Sequence, residues 1–146
     1  MTRQELLARL QALLKETGTG LLATVDAEGR PRMRWMTPAL LAGRTGALFA
    51  LTSPRFAKAG QISGHPQVEW MFQSPSLREV ITLRGRVNLV DNPSIRSEVL
   101  EAVGPRLRAF WKLNQDERDL LVLETVLEEG SCYTPLSGEK VTVHLD

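Results

Sequence analysis

Two hydroxyl residues followed by two basic residues form the segment of this sequence that is best suited to chemistry. Thr52 and Ser53 end an apolar stretch, and Arg55 and Lys58 follow on a predicted short helix. Hydroxyls and free backbone N–H groups at the start of a helix bind anions, and the helix dipole favours negative charge there. The spacing therefore predicts a phosphate site, and a bound phosphate usually belongs to a cofactor.

A further cation, Arg34, lies on an earlier predicted strand. Alternation along that strand divides its residues between two faces: Arg30, Arg32 and Arg34 on one, Met33 and Trp35 on the other. If this strand neighbours the one that ends at Thr52, Arg34 and Lys58 can converge on one phosphate. Arg34 would offer a bidentate fork and Lys58 a point charge. The alternative for each is a solvated surface cation, and Arg30 and Arg32, nearer the turn, are interpreted in that way.

The sequence contains no established catalytic motif beside these cations. It lacks a Gly-x-Ser-x-Gly elbow, a Walker loop and a His-Glu-x-x-His pair. His65 and His144 have no cysteine or second histidine at metal-ligand spacing, so we expect no metal site. Cys132 is the only cysteine, which rules out an intrachain disulfide and fits a reducing cytoplasm. We interpret Cys132 as a structural residue.

Length and composition predict a single domain over residues 1–146. The 146 residues are 42% hydrophobic and 24% charged, which is typical of a globular domain with one core. A net charge of +1 gives no field that would recruit nucleic acid or an acidic membrane surface. The first segment is amphipathic and charged, unlike a signal peptide, and no apolar run approaches the ~20 residues that span a bilayer. We expect a cytoplasmic protein that binds neither nucleic acid nor membranes.

Strands are the main elements that would position these residues. Apolar alternation and turn residues predict strands over residues 21–25, 30–41, 47–51, 68–73, 79–90 and 141–145, with a bulge at Gly85. Helices are predicted over residues 2–16 and 55–64, from Asn92-Pro93 onward and again beyond Gly104. Residues 120–127 suit a buried strand and a helix segment equally well. Strands joined by hairpins imply a mainly antiparallel sheet that forms a barrel or coils strongly, with helices at its ends.

In their order and spacing, these residues resemble a known family, the pyridoxamine 5'-phosphate oxidase-like split-barrel flavoproteins. The short variant known as general stress proteins is the most similar. The resemblance covers residues 20–92 and rests on a series of short motifs: Thr24-Val25-Asp26, Gly29-Arg30-Pro31, Arg34-Trp35-Met36, Thr52-Ser53-Pro54 with Lys58, His65-Pro66-Gln67-Val68, and residues 80–87.

The resemblance implies a mainly β fold: a six-stranded antiparallel split barrel with an N-terminal helix and short helices between strands. Two copies would form a homodimer, with an FMN molecule in each cleft at the interface. The resemblance also implies a set of FMN-binding residues: Arg34 and Lys58 on the phosphate, Leu51, Thr52 and Ser53 beside it, the backbone of Trp35 and Met36 along the isoalloxazine ring, and Glu79. The position of Glu79 often holds a glutamine that hydrogen-bonds the flavin from the partner subunit.

Three departures from the family pattern qualify this implication. Ala57 stands where the oxidase has a second phosphate-binding arginine, and Glu79 replaces a neutral amide with an anion. The oxidase's C-terminal Trp and Arg-x-His segment has no counterpart, so we do not expect pyridoxamine phosphate oxidase activity. We expect an FMN-dependent oxidoreductase acting on a small molecule. The alternatives are a non-catalytic flavin-binding stress or sensor protein, a relative that uses a deazaflavin or haem, and a split-barrel dimer that has lost its cofactor.

Overall fold

The computed structural model of the chain describes residues 1–53, 64–104 and 120–146. Lys58, most of the helix predicted over residues 55–64 and the helix predicted beyond Gly104 lie outside these ranges. The described residues form two helices and seven strands: α1 Arg3–Thr17, β1 Gly20–Val25, β2 Pro31–Met36, β3 Ala47–Thr52, β4 Gln67–Gln73, β5 Val80–Val90, α2 Pro93–Val103, β6 Leu121–Thr134 and β7 Glu139–His144. The predicted mainly β class is confirmed.

Helix α1 begins and ends where its sequence predicts. The Thr2 hydroxyl accepts a hydrogen bond from the backbone N–H of Glu5, and Gly18 ends the helix with a φ of 73°. The leucines of its buried face are Leu6, Leu10, Leu13 and Leu14. Neither α1 nor α2 is long and apolar enough to cross a lipid bilayer.

All neighbouring strands in the sheet run antiparallel, in the order β2-β1-β4-β5-β6-β3. One edge of the long strand β6 has two partners. Its first part pairs with β3, and its second part pairs with β7. This pairing decides between the two interpretations of residues 120–127 in favour of a strand. It also raises the strand count to seven, one more than the resemblance implies.

The register shift at Gly85 confirms the predicted bulge. Pairing of β5 with β6 slips by one residue between Arg84 and Gly85. A Cβ atom at Gly85 would collide with the carbonyl oxygen of Val126, so a glycine is required for this close approach.

Strand β2 is shorter than predicted, because it ends at Met36 and does not continue to residue 41. Pro38 has no backbone N–H for a ladder and restricts the residue before it. Beyond Pro38, Ala39 forms an isolated bridge with Phe49 of β3, with N···O distances of 2.7 and 2.9 Å. Within the described residues, no ladder pairs β2 with β3, so the barrel stays split.

The buried residues form two clusters on opposite sides of β3. Leu48 and Ala50 face the main cluster inside the barrel, which includes Trp70. Phe49 and Leu51 face a second cluster, which α2 covers. All six residues of β3 are consequently buried.

Candidate functional site

Arg34 projects from β2 towards the interior of the barrel. In the β1–β2 ladder it lies opposite Leu22, which is fully buried, and paired residues share a face. Trp35 lies opposite Leu21 on the outer face and is 70% exposed. The predicted alternation of β2 is therefore confirmed, and Arg34 is half-buried.

The hydroxyl of Thr24 holds the Arg34 guanidinium. Arg34 Nη2 donates to Thr24 Oγ1 over 3.0 Å, and Thr24 is only 2% exposed. Burial is the main reason that the pKa of Arg34 is lowered, and the positive charge of Arg32 adds to it. The guanidinium stays protonated, because arginine titrates far above neutral pH. An anion beside Arg34 would offset the desolvation of this cation.

Asp26 binds the other two arginines of this hairpin. Its Oδ2 accepts hydrogen bonds of 3.2 Å from Arg30 Nε and from Arg32 Nε. Its Oδ1 accepts the backbone N–H groups of Glu28 and Arg30 at 3.0 and 2.9 Å. These bonds, the backbone N–H of Arg30 foremost, lower the pKa of Asp26 to about 2. From the sequence Asp26 is only a turn residue, and its spacing to Arg30 and Arg32 is the signal that could have revealed the cluster.

Strands β2 and β3 lie at the two ends of the strand order, on either side of the split. Thr52 is buried and shares the inner face of β3 with Ala50, whereas Leu51 packs in the second cluster and Ser53 is half-buried. The Ala39–Phe49 bridge lies three residues after Met36 and three residues before Thr52. Arg34 lies two residues from Met36 on the same inner face. Within the described residues no ladder pairs β2 with β3, so the convergence of Arg34 with Thr52 and Ser53 stays a prediction, and Lys58 lies outside those residues.

Glu79 lies elsewhere in the sheet, just before β5, with β1 and β4 between it and β2. Its Oε1 is 3.3 Å from Arg9 Nη1 and 3.1 Å from Cys132 Sγ. Together with Arg9, Arg78 and neighbouring residues, Glu79 lines an open cleft of about 360 Å³. Glu79 lies beside β5 and Arg34 on β2 of the same chain, with β1 and β4 between them. The contact of Glu79 with the flavin of a partner subunit therefore stays a prediction.

Cys132 is buried, as expected of a structural residue, but it has two polar neighbours that its sequence position does not reveal. It contacts Glu79, and Arg9 Nη1 donates to its Sγ over 3.7 Å. Burial is the largest cause of the raised pKa of this thiol. Within residues 1–53, 64–104 and 120–146, the His, Cys, Asp and Glu side chains form no group of three that could hold a metal ion.

Comparison with known proteins identifies the family. Residues 6–132 match the family model of pyridoxamine 5'-phosphate oxidase. The chain belongs to this family. A search of the curated proteins found no match.

Solved structures of pyridoxamine 5'-phosphate oxidase-like proteins share the fold of this family member. A Clostridium acetobutylicum protein related to general stress protein 26 of B. subtilis has 16% identity and a TM-score of 0.73, covering 100% of this chain and 98% of its own. A pyridoxamine 5'-phosphate oxidase-related, FMN-binding protein from Nostoc punctiforme has 17% identity and a TM-score of 0.65, covering 95% of each chain.

A heme-binding protein from Mycobacterium smegmatis has the same fold, with 22% identity and a TM-score of 0.71. The match covers 99% of this chain and 58% of that protein. The family fold is thus found in proteins with different cofactors, and the donor groups of the individual site must decide which cofactor fits. In this member of the pyridoxamine 5'-phosphate oxidase family, β2 offers the half-buried guanidinium of Arg34, and the end of β3 offers the hydroxyl groups of Thr52 and Ser53. Both kinds of group are donors suited to a phosphate.

Proposed function

We propose that this chain binds FMN at the opening between β2 and β3 and acts as an FMN-dependent oxidoreductase on a small molecule. The observation that carries the proposal is Arg34, a half-buried cation on the inner face of a barrel of the pyridoxamine 5'-phosphate oxidase family. An FMN-binding protein from Nostoc punctiforme with the same fold supports it.

In this proposal, the chain's own residues bind and orient the cofactor. Arg34 and Lys58 bind the phosphate, and the hydroxyls of Thr52 and Ser53 donate to its oxygens. Leu51 is anchored in the second cluster and fixes the end of β3, while the backbone of Trp35 and Met36 lies along the flavin ring. When it is bound, FMN supplies the redox chemistry, so the site needs no separate catalytic set from the protein.

We further propose that two copies of the chain form a homodimer through the outer face of β1, β2 and β4. Trp35, Leu21 and Met71 are neighbours across these strands, with exposures of 70, 36 and 41%. Met33, on the same face of β2, is also 70% exposed. Contiguous exposed apolar side chains that include an aromatic residue are typical of protein interfaces. In the dimer, Glu79 would reach the cofactor of the partner.

Haem is the second candidate cofactor, because the Mycobacterium smegmatis protein of the same fold binds it. Haem iron requires an axial ligand, most often histidine. His65 and His144 are both exposed: His65 lies just before β4, and His144 is the last residue of β7. Arg34 and the hydroxyls of β3 suit a phosphate, and FMN carries one where haem does not.

Titration of the purified protein with FMN, followed by gel filtration, tests the cofactor. We expect FMN to remain bound to the wild type, and Arg34→Ala to weaken binding about tenfold or more, because a hydrogen bond to a charged group is lost. Arg30→Ala is the matched control, since Arg30 lies on the same hairpin and contacts Asp26. Equal FMN affinity in Arg34→Ala and the wild type would exclude the proposed phosphate site, and retention of haem but not FMN would favour the second candidate.

A second measurement separates an oxidoreductase from a non-catalytic flavin-binding protein. Reduction of the bound flavin by NADH or NADPH, followed by repeated turnover with an added acceptor, supports the enzyme. Binding of FMN without turnover on any donor and acceptor pair would support the stress or sensor role.

A further inference from the structure

The turn between β4 and β5 holds a leucine in the left-handed region of backbone conformation. Leu77 has a φ of 57°, and in the part of the chain that the structure describes it is the single residue other than glycine with a positive φ. A side chain with a Cβ atom is strained in this region, and leucine has no polar group that could bond the local backbone in compensation. Because Leu77 is also 50% exposed, packing within the chain offsets little of this strain.

The turn between β1 and β2 has the same construction but a different residue at the strained position. In both turns the backbone N–H of the fourth residue donates to the carbonyl oxygen of the first, from Gly29 to Asp26 over 3.0 Å and from Leu77 to Ser74 over 2.9 Å. Gly29 has a φ of 81°, and glycine is the residue that such a position favours. The β4–β5 turn therefore carries a bulky apolar side chain where glycine would be less strained.

Hydrogen bonds to Ser74 fix the turn around Leu77. The buried Ser74 hydroxyl accepts the backbone N–H groups of Arg78 at 2.9 Å and Glu79 at 3.2 Å. The conformation of Leu77 is thus imposed by the residues on either side of it. Strained residues that their surroundings hold in place are concentrated at ligand-binding sites, so Leu77 is a candidate for a contact with a ligand.

The β4–β5 turn adjoins the proposed dimer face. Ser74 and Glu79, which flank Leu77 in the chain, line the open cleft described above. Trp35, on the outer face of β2, lines a second cleft of about 310 Å³, and Glu16 belongs to both clefts. A partner subunit that packs on the outer face of β2 would therefore lie next to this turn.

We propose that Leu77 contacts the apolar edge of the isoalloxazine ring bound by the partner subunit, beside the proposed contact of Glu79. The inference rests on the proposed function, because it requires both the homodimer and the flavin. Contact between the ring and an exposed leucine removes apolar surface of both from water, which offsets the strain of the left-handed conformation. Each subunit thus contributes a cofactor-binding leucine to the site of the other.

Leu77→Gly should change stability and cofactor affinity in opposite directions. In the protein without flavin, glycine relieves the left-handed strain, so we expect the thermal unfolding midpoint to rise by about 2–4 °C. Affinity for FMN should fall about tenfold, and affinity for riboflavin by the same factor, because the two flavins share the ring and differ by the phosphate. Leu77→Asn, a polar residue that tolerates this conformation, should behave in the same way, whereas Leu77→Met should keep the affinity.

Leu136→Gly is the matched control for these measurements. Leu136 is 92% exposed in the turn between β6 and β7, and its φ is not positive. Glycine there relieves no strain, so the unfolding midpoint should not rise and flavin affinity should not change. Affinities are compared at concentrations at which light scattering shows each variant to be a dimer. Wild-type affinity for both flavins in Leu77→Gly would overturn the inference, even if its dimer were weaker, because the leucine would then contact polypeptide and not the ring.

A mixed dimer tests whether Leu77 acts across the interface. One subunit carries Leu77→Gly and the other Arg34→Ala, and two different affinity tags select the mixed species. If each subunit contributes its leucine to the other, one of the two sites combines an intact Arg34 with an intact Leu77, and half of the sites should bind FMN with wild-type affinity. If Leu77 acts within its own subunit, both sites are damaged, and the loss of both would overturn the inference.

Failure of the inference and failure of the proposed function give different results. A wild-type protein that binds neither FMN nor riboflavin would refute the proposed function itself. A wild type that binds FMN, with equal affinity in Leu77→Gly, would refute only the contact between Leu77 and the ring.

Discussion

The thiol of Cys132 donates a hydrogen bond to the carboxylate of Glu79, with 3.1 Å between Sγ and Oε1. Arg9 contacts both groups from α1 and balances the charge of the carboxylate. The three side chains join α1, the start of β5 and β6 at one point. Burial contributes most to the raised pKa of Cys132, Glu79 raises it further, and Arg9 opposes this effect.

Alkylation of Cys132 should respond to Glu79 in a defined direction. Thiolate is the reactive form, so we expect slow reaction with iodoacetamide at pH 8 and a reactivity midpoint above the ordinary value for cysteine. Glu79→Gln removes a negative charge from beside the thiol and should move the midpoint to lower pH, whereas Arg9→Ala should move it higher. Mass spectrometry of alkylation against pH measures both shifts, with Glu139→Gln on β7 as the control. A midpoint that rises in Glu79→Gln would contradict the contact.

Local patterns were sufficient to predict most of the elements. The Thr2 cap, the Gly18 stop, the alternation of β2 and the bulge at Gly85 depend on neighbouring residues and on backbone preferences that the sequence contains. The inner-face position of Arg34 follows from the same alternation. The end of β2 was missed because its apolar pattern continues past Pro38, while the pairing does not.

Contacts between distant segments could not be predicted in this way. The apolar run at residues 120–127 suits two kinds of element, and only the pairing of β6 with β3 and β5 selects the strand. Cys132 and Glu79 are 53 residues apart, so their contact requires the register between β5 and β6. The hydrogen bond between Thr24 and Arg34 likewise joins diagonal neighbours in the β1–β2 ladder, and the alternation of residues along β2 does not reveal such a contact.

Asp26 should stabilise the protein in a pH-dependent manner. Its pKa is lowered to about 2 in the folded chain, and the ordinary value for an unfolded chain is about 3.9. A lowered pKa means that the ionised carboxylate stabilises the fold at pH values above about 4, and that this contribution is lost as the pH falls towards 2. Asp26→Asn should therefore lower the thermal unfolding midpoint at pH 7, and its difference from the wild type should shrink between pH 4 and 2.

Glu28→Gln is the control for this comparison, because Glu28 pairs with Arg30 in an exposed position on the same turn. Exposed ion pairs contribute little to stability, so we expect almost no change in its unfolding midpoint. A difference between Asp26→Asn and the wild type that stays constant from pH 7 to pH 2 would show that the charge of Asp26 is not what stabilises the hairpin.

Trp35 should be essential for the proposed homodimer. Trp35→Lys introduces a charge into the exposed apolar row on β1, β2 and β4, where desolvation of an unpaired cation opposes association. We expect the variant to be a monomer by light scattering after gel filtration, at concentrations where the wild type is a dimer. Leu136→Lys provides the control, since Leu136 is 92% exposed in the turn between β6 and β7. A dimeric Trp35→Lys would require a different interface.

The buried hydrogen bond between Trp70 and Thr125 should contribute measurably to stability. Trp70 Nε1 donates to Thr125 Oγ1 over 3.0 Å, and the two residues are 1 and 0% exposed. Thr125→Val keeps the volume of the side chain but leaves the indole N–H buried without an acceptor, which costs about 1–3 kcal/mol. The free energy of unfolding, measured in urea, should fall by that amount, while Thr125→Ser, which keeps the hydroxyl, should lose less. If valine and serine lower the stability equally, the loss arises from packing around Thr125 and not from the hydrogen bond to Trp70.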